Sequence, residues 1–274
     1  MPLVYICGWL SVKPLALLWP DLQKQDISLL GTIVSFVLFV SLLSSWSKIR
    51  WGNDDCFIPL GLVGLGRKVS VKLFLRGLFK SFGLLAFVLT PLLFSPYGKW
   101  LGYSNGDILV NALFLGLVVG FAEEIIFRGW LFLEMNQLVG TRWGVIIQAV
   151  VFSLVHTRFS LAFWELLGLL LGLFLLGLLL AFMRMIDHGS LWGCMGLHGG
   201  LVGGWFLVSA GLVEFSPETP GWLFGPGGAA INPLGGLIAI FALIMILFRQ
   251  RTALAIAGRP LRGARKASSN GDSP

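Results

Sequence analysis

Charged and imidazole side chains interrupt three apolar segments of this sequence. The stretch FAEEIIFRGWLF places Glu123, Glu124 and Arg128 inside a long hydrophobic run. His156 lies near the end of the next run, and His198 lies within a later one. An ionised side chain at the centre of a membrane helix costs at least ~2.5 kcal/mol, so residues of this kind indicate a polar functional site.

Helix geometry separates the roles of the two glutamates. Glu124 and Arg128 are four residues apart on one helix face, with the acid before the base, an order that favours an ion pair. Glu123 points about 100° away around the helix, so Arg128 does not neutralise it. We therefore expect Arg128 to hold Glu124. Glu123 then faces another partner, for which His156 and His198 are the candidates.

This combination of side chains favours hydrolysis. A carboxylate in a water-poor pocket can serve as general base toward a water molecule. An opposing imidazole can share that water or bind a metal that activates it, and a second imidazole can donate to a developing oxyanion. A lone membrane histidine is equally often a packed residue, but two of them with Glu-Glu-Arg on three helices favour a site. Glycines surround His198 and predict close helix packing, which would bring it near its neighbours; they are Gly196, Gly199, Gly200, Gly203 and Gly204.

The elements that carry these residues are predicted to be membrane helices. Of the 274 residues, 56% are hydrophobic and 12% are charged, and that charged fraction is about half the value typical of a soluble domain. Several apolar runs reach the ~20 residues that cross a bilayer as a helix. We predict an all-α fold, a polytopic transmembrane helix bundle with about seven to eight spans. The expected spans are residues 28–46, 78–97, 108–138, 143–157, 161–183, 191–212 and 233–248, with residues 3–19 as an ambiguous eighth.

Two further features concern the third span and the cysteines. The third span is too long for one upright crossing, so it is either tilted or continues as a helix past the hydrocarbon. The three cysteines lack paired spacing, which predicts neither a disulfide framework nor a cysteine metal site.

The distribution of basic residues predicts the topology. Lys and Arg crowd alternate connections and the C-terminal segment, whereas residues 214–233 contain none. The positive-inside tendency therefore places the C-terminus in the cytoplasm, and the net charge of +7 reflects topology, with no nucleic-acid partner expected. We assign residues 1–252 to a transmembrane helical domain with its motif-bearing core at about 108–212. Residues 253–274 are expected to form a basic, disordered tail. The compact chain predicts a bacterial inner membrane or another internal membrane.

Three motifs in order resemble those of the CPBP family of intramembrane proteases, which includes CAAX-processing enzymes and bacteriocin-processing or Abi-like immunity relatives. The first motif, E-E-x-x-x-R, is Glu123, Glu124 and Arg128. The second, F-x-x-x-H, ends at His156, and the third is a histidine on a later helix, here His198. The resemblance extends over residues 120–205.

The resemblance implies an all-helical membrane endopeptidase whose site lies in a cavity between helices, with membrane lipid around it and a peptide or membrane protein as substrate. In eukaryotic members that substrate is a prenylated CAAX protein. The resemblance implies that Glu123 activates water with His156, that His198 stabilises the oxyanion, and that Glu124 and Arg128 support the site. Both a metalloprotease and a glutamate mechanism have been argued for the family. If a divalent metal such as zinc binds, Glu123, His156 and His198 are the available ligands and leave a position open for water.

One position departs from the family pattern and keeps other functions open. Val202 stands where some members carry Asn, so His198, the backbone or water must donate to the oxyanion. A catalytically silent binding or immunity protein could use the same cavity. A proton-coupled transporter is the other alternative, because membrane Glu, Arg and His also form proton relays. Many transporters show paired halves, which are not evident here.

Overall fold

The computed structural model describes residues 2–19, 23–227 and 231–257, and most of these residues are helical. Long apolar segments form helices because a backbone within lipid must satisfy its own hydrogen bonds. The helices are α1 (Pro2–Val12), α2 (Leu15–Leu18), α3 (Lys24–Trp46), α4 (Phe57–Leu60), α5 (Arg67–Leu93), α6 (Gly106–Glu124), α7 (Phe132–Val155), α8 (Phe163–Ile186), α9 (Trp192–Leu207), α10 (Gly221–Phe224) and α11 (Leu237–Ala257).

Wider turns and a short ribbon complete the described structure. Three stretches form π-helix, at Ser47–Trp51, Ile125–Leu131 and Val208–Leu212, and Pro233–Gly235 forms a 3₁₀ turn. Strand β1 (Gly98–Trp100) pairs antiparallel with β2 (Val213–Phe215). The ribbon joins the loop after α5 to the end of the segment that follows α9, so it ties these two helices together beyond their ends.

The described residues contain five helical segments that are long and apolar enough to cross a membrane. They are Asp26–Trp51, Arg67–Leu93, Gly106–Val155, Phe163–Ile186 and Trp192–Leu212, and shorter apolar helices occupy Leu3–Val12 and Leu237–Gln250. The predicted class, an all-helical polytopic membrane bundle, is confirmed. The count of seven to eight spans stays a prediction.

The third and fourth predicted spans form one bent segment. Gly106–Val155 is 50 residues long and bends at Gly140, where φ is 79° and ψ is 161°. Glycine adopts this positive φ without the steric penalty of a side chain. At 1.5 Å per residue, the part before the bend is about 50 Å long, which exceeds the ~30 Å hydrocarbon thickness. This part must therefore tilt or extend past the hydrocarbon, as its length predicted.

Helix α9 packs between α5 and α6 through its glycines. A Cβ atom on Gly120 of α6 would lie 2.6 Å from the Cα atom of Gly199 of α9, so neither position has room for a side chain. On another face of α9, Gly196 and Gly200 contact α5. This close approach holds the middle of α9 against the end of α6.

Two boundaries differ from the predicted ones. Helix α5 begins at Arg67, eleven residues before the predicted span, because its first turns are basic and therefore invisible to a hydropathy criterion. Helix α11 continues to Ala257, so the expected tail of residues 253–274 begins inside this helix. Residues 258–274 of that expected tail lie outside the described part of the chain.

Candidate active site

Three elements bring the five predicted site residues together. Helix α6 ends with Glu123 and Glu124, and the π-helical segment that follows it carries Arg128. His156 caps the C-terminal end of α7, and His198 lies in the middle of α9. The close packing of α6 on α9 then sets the distance between the glutamates and His198.

The inner part of the site is a buried triad of charged and polar groups. The Arg128 Nη1 atom donates to the Glu124 Oε1 atom at 2.8 Å, and both side chains are fully buried. The same oxygen lies 2.8 Å from the His198 Nδ1 atom. The expected ion pair between Glu124 and Arg128 is therefore present, and it includes His198 as a third member that helix spacing did not indicate.

The outer part of the site centres on Glu123. Its Oε2 atom lies 3.5 Å from the His156 Nε2 atom and 3.7 Å from the His198 Nε2 atom. The side chains of Glu123 and His156 are 25% and 32% exposed, whereas that of His198 is 6% exposed. Water can therefore reach this part of the site from the side of Glu123 and His156.

Hydrogen bonds at Nδ1 assign the tautomers of both imidazoles. His156 Nδ1 lies 2.7 Å from the carbonyl oxygen of Phe152, which can only accept, so this nitrogen carries hydrogen. His198 Nδ1 donates to a carboxylate oxygen that already accepts from Arg128. In the neutral imidazoles both Nε2 atoms are then acceptors. Three lone-pair atoms thus face one another, an arrangement that suits a hydrogen-bonding water or a cation.

Phe152 organises the site from beneath. Its ring is fully buried, and the Arg128 guanidinium carbon lies 4.0 Å from its centre. The ring also meets the edge of His198 at 5.7 Å and packs on His156 at 4.7 Å between centres. The Phe in the F-x-x-x-H motif therefore contacts three site residues, a role that the motif did not assign.

Arg184 supports the π-helical segment and was misplaced by sequence reasoning, which counted it among the basic residues of a cytoplasmic connection. It is 3% exposed, and it donates to the carbonyl oxygen of Gly129 at 3.2 Å and to that of Pro59 at 2.8 Å. Backbone carbonyls thus satisfy this buried cation. No sequence signal distinguishes such an arginine from one at a membrane surface.

Glu134 is a second buried group that the sequence did not indicate. Its Oε1 atom accepts from the indole nitrogens of Trp46 at 2.9 Å and Trp51 at 2.7 Å. Its Oε2 atom accepts from the Arg50 Nη2 atom at 3.0 Å. This carboxylate fastens the N-terminal helices to α7, and Arg50 is accordingly part of an ion pair within the fold.

The residue that departs from the family pattern lies close to the site. Val202 is half-buried on α9, one turn after His198. Its side chain offers no hydrogen-bond donor, so donation to an oxyanion must come from another group.

The three outer residues offer a donor set that suits a divalent metal. Both imidazoles have Nδ1 held by an oxygen acceptor, the usual outer-shell arrangement for ligating histidines. Two ligands of a tetrahedral zinc lie about 3.3 Å apart, slightly less than the 3.5 and 3.7 Å between Glu123 and the histidines. Within residues 2–19, 23–227 and 231–257, however, no group of three or more His, Cys, Asp or Glu side chains forms a ready metal-binding cluster. The donor chemistry therefore fits a metal, but the geometry is not closed around one.

Comparisons with known proteins agree with the motifs. The family model described as type II CAAX prenyl endopeptidase Rce1-like matches residues 105–203. A model of a domain of unknown function, DUF8676, matches residues 1–55. No curated protein and no solved structure gave a significant match. The segment that carries the whole site, residues 105–203, therefore belongs to the Rce1-like type II CAAX prenyl endopeptidase family, which confirms the resemblance that the three motifs indicated.

Proposed function

We propose that this protein is an intramembrane endopeptidase in which Glu123 activates a water molecule. The observation that carries the proposal is the position of Glu123, whose free carboxylate oxygen lies within 3.7 Å of two imidazole Nε2 atoms. Its neighbour Glu124 is already occupied by Arg128 and His198. Glu123 is thus the carboxylate of this pair that remains able to exchange a proton with water.

The proton transfers follow from the hydrogen-bond partners. Water held between Glu123 and His156 gives a proton to Glu123 while its oxygen attacks the carbonyl carbon of the peptide bond. The C–N bond then breaks, and the same proton passes from Glu123 to the departing amine. His198 donates to the oxyanion when its Nε2 atom carries a proton, and the carboxylate of Glu124 at Nδ1 stabilises that imidazolium.

A divalent metal such as zinc remains part of the proposal as an alternative way to activate the water. Glu123 Oε2 and the Nε2 atoms of His156 and His198 would hold it, and when bound it would supply a Lewis acid. Metal content measured on the purified protein by mass spectrometry, together with activity after chelation, distinguishes the two forms. A stoichiometric metal whose removal abolishes cleavage would favour the metalloprotease.

The substrate class is proposed from the family description. The matched family is named for CAAX prenyl endopeptidases, so a peptide with a prenylated cysteine near its C-terminus is the first substrate to test. The same peptide without the prenyl group tests whether the lipid is required.

The experiment compares purified wild-type protein with Glu123→Gln and His156→Ala variants in lipid vesicles, using a fluorogenic prenylated peptide. Loss of the general base is expected to lower turnover by roughly 10²-fold or more. Glu218→Gln, at an exposed position, is the matched control and should cleave at the wild-type rate. Equal turnover in all four proteins would refute the proposal.

Val202 favours one alternative, a catalytically silent protein that binds a peptide or partner in the same cavity. In that case the Glu123→Gln variant should retain full function in cells. Loss of function in the same variant excludes this alternative.

A further inference from the structure

A groove of about 690 Å³ lies between α5, α8 and α11, and none of the five site residues lines it. Its walls are apolar and include Leu84, Phe87, Met183, Phe241 and Met245. One end is basic and carries Arg76, Lys80 and Arg249. A cavity with a greasy wall and a cationic end has the polarity of an amphiphile with a negative headgroup.

The basic end retains uncompensated positive charge. Arg76 pairs with the buried carboxylate of Asp187. Among the described residues, no carboxylate lies within ion-pair distance of Lys80 or Arg249. Lys80 is half-buried on α5, and Arg249 is near the end of α11. Two cations from different helices therefore converge on one anion-binding position.

Gln250 provides an independent indication of a ligand. It lines the same groove and is only 7% exposed. Its amide nitrogen and amide oxygen both lack a hydrogen-bond partner in the described part of the chain. A buried amide without partners is costly, and a phosphate or ester oxygen in the groove would accept from its nitrogen.

The groove continues along α5 and is long enough for an acyl chain. A second groove shares Gly83, Phe87 and Phe241 and ends near Thr90 and Pro91. From Arg76 to Pro91 the helix rises about 22 Å, whereas one leaflet of the hydrocarbon core is about 15 Å thick. A chain that starts at the basic end therefore has apolar wall along its whole length.

We propose that this groove binds one anionic glycerophospholipid. The phosphate lies between Lys80, Arg249 and the amide of Gln250, and an acyl chain follows α5 past Gly83. Basic pockets between membrane helices are typical sites for anionic headgroups. The C-terminal segment 258–274 does not match the groove, because it is itself basic, with three arginines, one lysine and one aspartate.

The test is native mass spectrometry of the full-length protein in detergent with dioleoyl phosphatidylglycerol or dioleoyl phosphatidylcholine. The wild type is expected to retain one phosphatidylglycerol and to bind it at least about tenfold more tightly than phosphatidylcholine. The Lys80→Gln/Arg249→Gln double variant should lose that preference. Arg67→Gln/Lys68→Gln removes the same charge from exposed positions outside the groove and should preserve it. Equal loss in the two double variants, or retention in both, overturns the proposal.

A second variant tests the apolar part without changing charge. A Cβ atom on Gly83 would have no other atom within 4 Å, so Gly83→Phe can project a ring into the groove with little backbone disturbance. Phosphatidylglycerol retention should fall in Gly83→Phe, and inorganic phosphate at millimolar concentration should not displace the lipid. Displacement by phosphate alone, or undiminished lipid retention in Gly83→Phe, would overturn the assignment of a lipid.

Discussion

Adjacent residues with the same side chain occupy opposite environments in this site. Glu124 is fully buried and bonded to Arg128 and His198, whereas Glu123 is partly exposed and faces two imidazole acceptors. Burying a paired charge is tolerable, but removing one partner leaves the other uncompensated. The two glutamates should therefore respond differently to the same substitution.

We predict that Glu124→Gln lowers the stability of the protein far more than Glu123→Gln does. Loss of the Glu124 carboxylate leaves the buried Arg128 cation unpaired, which costs about 3–5 kcal/mol. In a domain of this size that corresponds to a fall in Tm of roughly 6 °C or more. Thermal unfolding in detergent measures it, with Glu123→Gln as the matched control. Equal Tm values for the two variants would contradict the assignment of structural and chemical roles.

We predict that Phe152→Leu lowers kcat by roughly tenfold, because it removes the cation–π contact that holds Arg128. Phe127→Leu is the control, since Phe127 belongs to the same buried cluster but its ring centre is 5.9 Å from the Arg128 guanidinium carbon. The measurement is peptide turnover at saturating substrate. A larger loss in Phe127→Leu would argue against a positioning role for Phe152.

At this scale the sequence predicted what is local and missed what is distant. The pair of Glu124 and Arg128 follows from a spacing of four residues on one helix. Glu134 and Arg50 are 84 residues apart, and the carbonyl partners of Arg184 belong to other segments. Such contacts depend on which helices meet, and hydropathy does not determine that.

Glycine packing sets the distance between the elements that carry the site. We predict that Gly120→Ala lowers both Tm and turnover, because a methyl group there meets the backbone of Gly199 and must push α6 away from α9. Overpacking of this kind costs about 1–3 kcal/mol. Gly83→Ala is the control, because its Cβ would meet nothing within 4 Å. An undisturbed Gly120→Ala variant would show that α6 and α9 are not in close contact.

The N-terminal helices depend on one carboxylate for part of their attachment. We predict that Glu134→Ala loosens this contact, because it leaves two indole donors and Arg50 without their acceptor, at about 1–3 kcal/mol per buried donor. The buried thiol of Cys56 lies beside α3, so its labelling by a membrane-permeant maleimide should increase. The measurement uses a Cys7→Ser background, with the exposed Glu218→Ala substitution as control. Equal labelling of Cys56 in both variants would contradict the prediction.

Element boundaries were predictable where apolar residues alone form a helix. The spans that contain His156 and His198 end within a few residues of their predicted ends. The start of α5 was not predictable in this way, because Lys72 and Arg76 continue the helix beyond its apolar part. The bend at Gly140 likewise depends on a single backbone conformation.

The whole molecule combines two regions with separate family matches. Residues 1–55 match one model and residues 105–203 match another, and the two regions meet where Trp46 packs on Trp130 and binds Glu134. The N-terminal region thus lies beside the segment that carries Arg128. Its contribution to the site is structural support for that segment.

We predict that the C-terminus lies in the cytoplasm, because Lys and Arg concentrate in alternate connections and after the last apolar helix. A C-terminal green fluorescent protein fusion in a bacterial host should be fluorescent, and a C-terminal alkaline phosphatase fusion should be inactive. Active phosphatase would reverse the predicted orientation of the whole bundle.

The wide turns at Ile125–Leu131 limit how this chain can change in length. A π-helical segment holds an additional residue relative to an α-helix, so deleting one residue there would restore regular turns and rotate the following helix by about 100°. The imidazole at position 156 would then leave the carboxylate that it faces. Insertions and deletions between the first two motifs should consequently be rare among descendants of this sequence that keep the same chemistry.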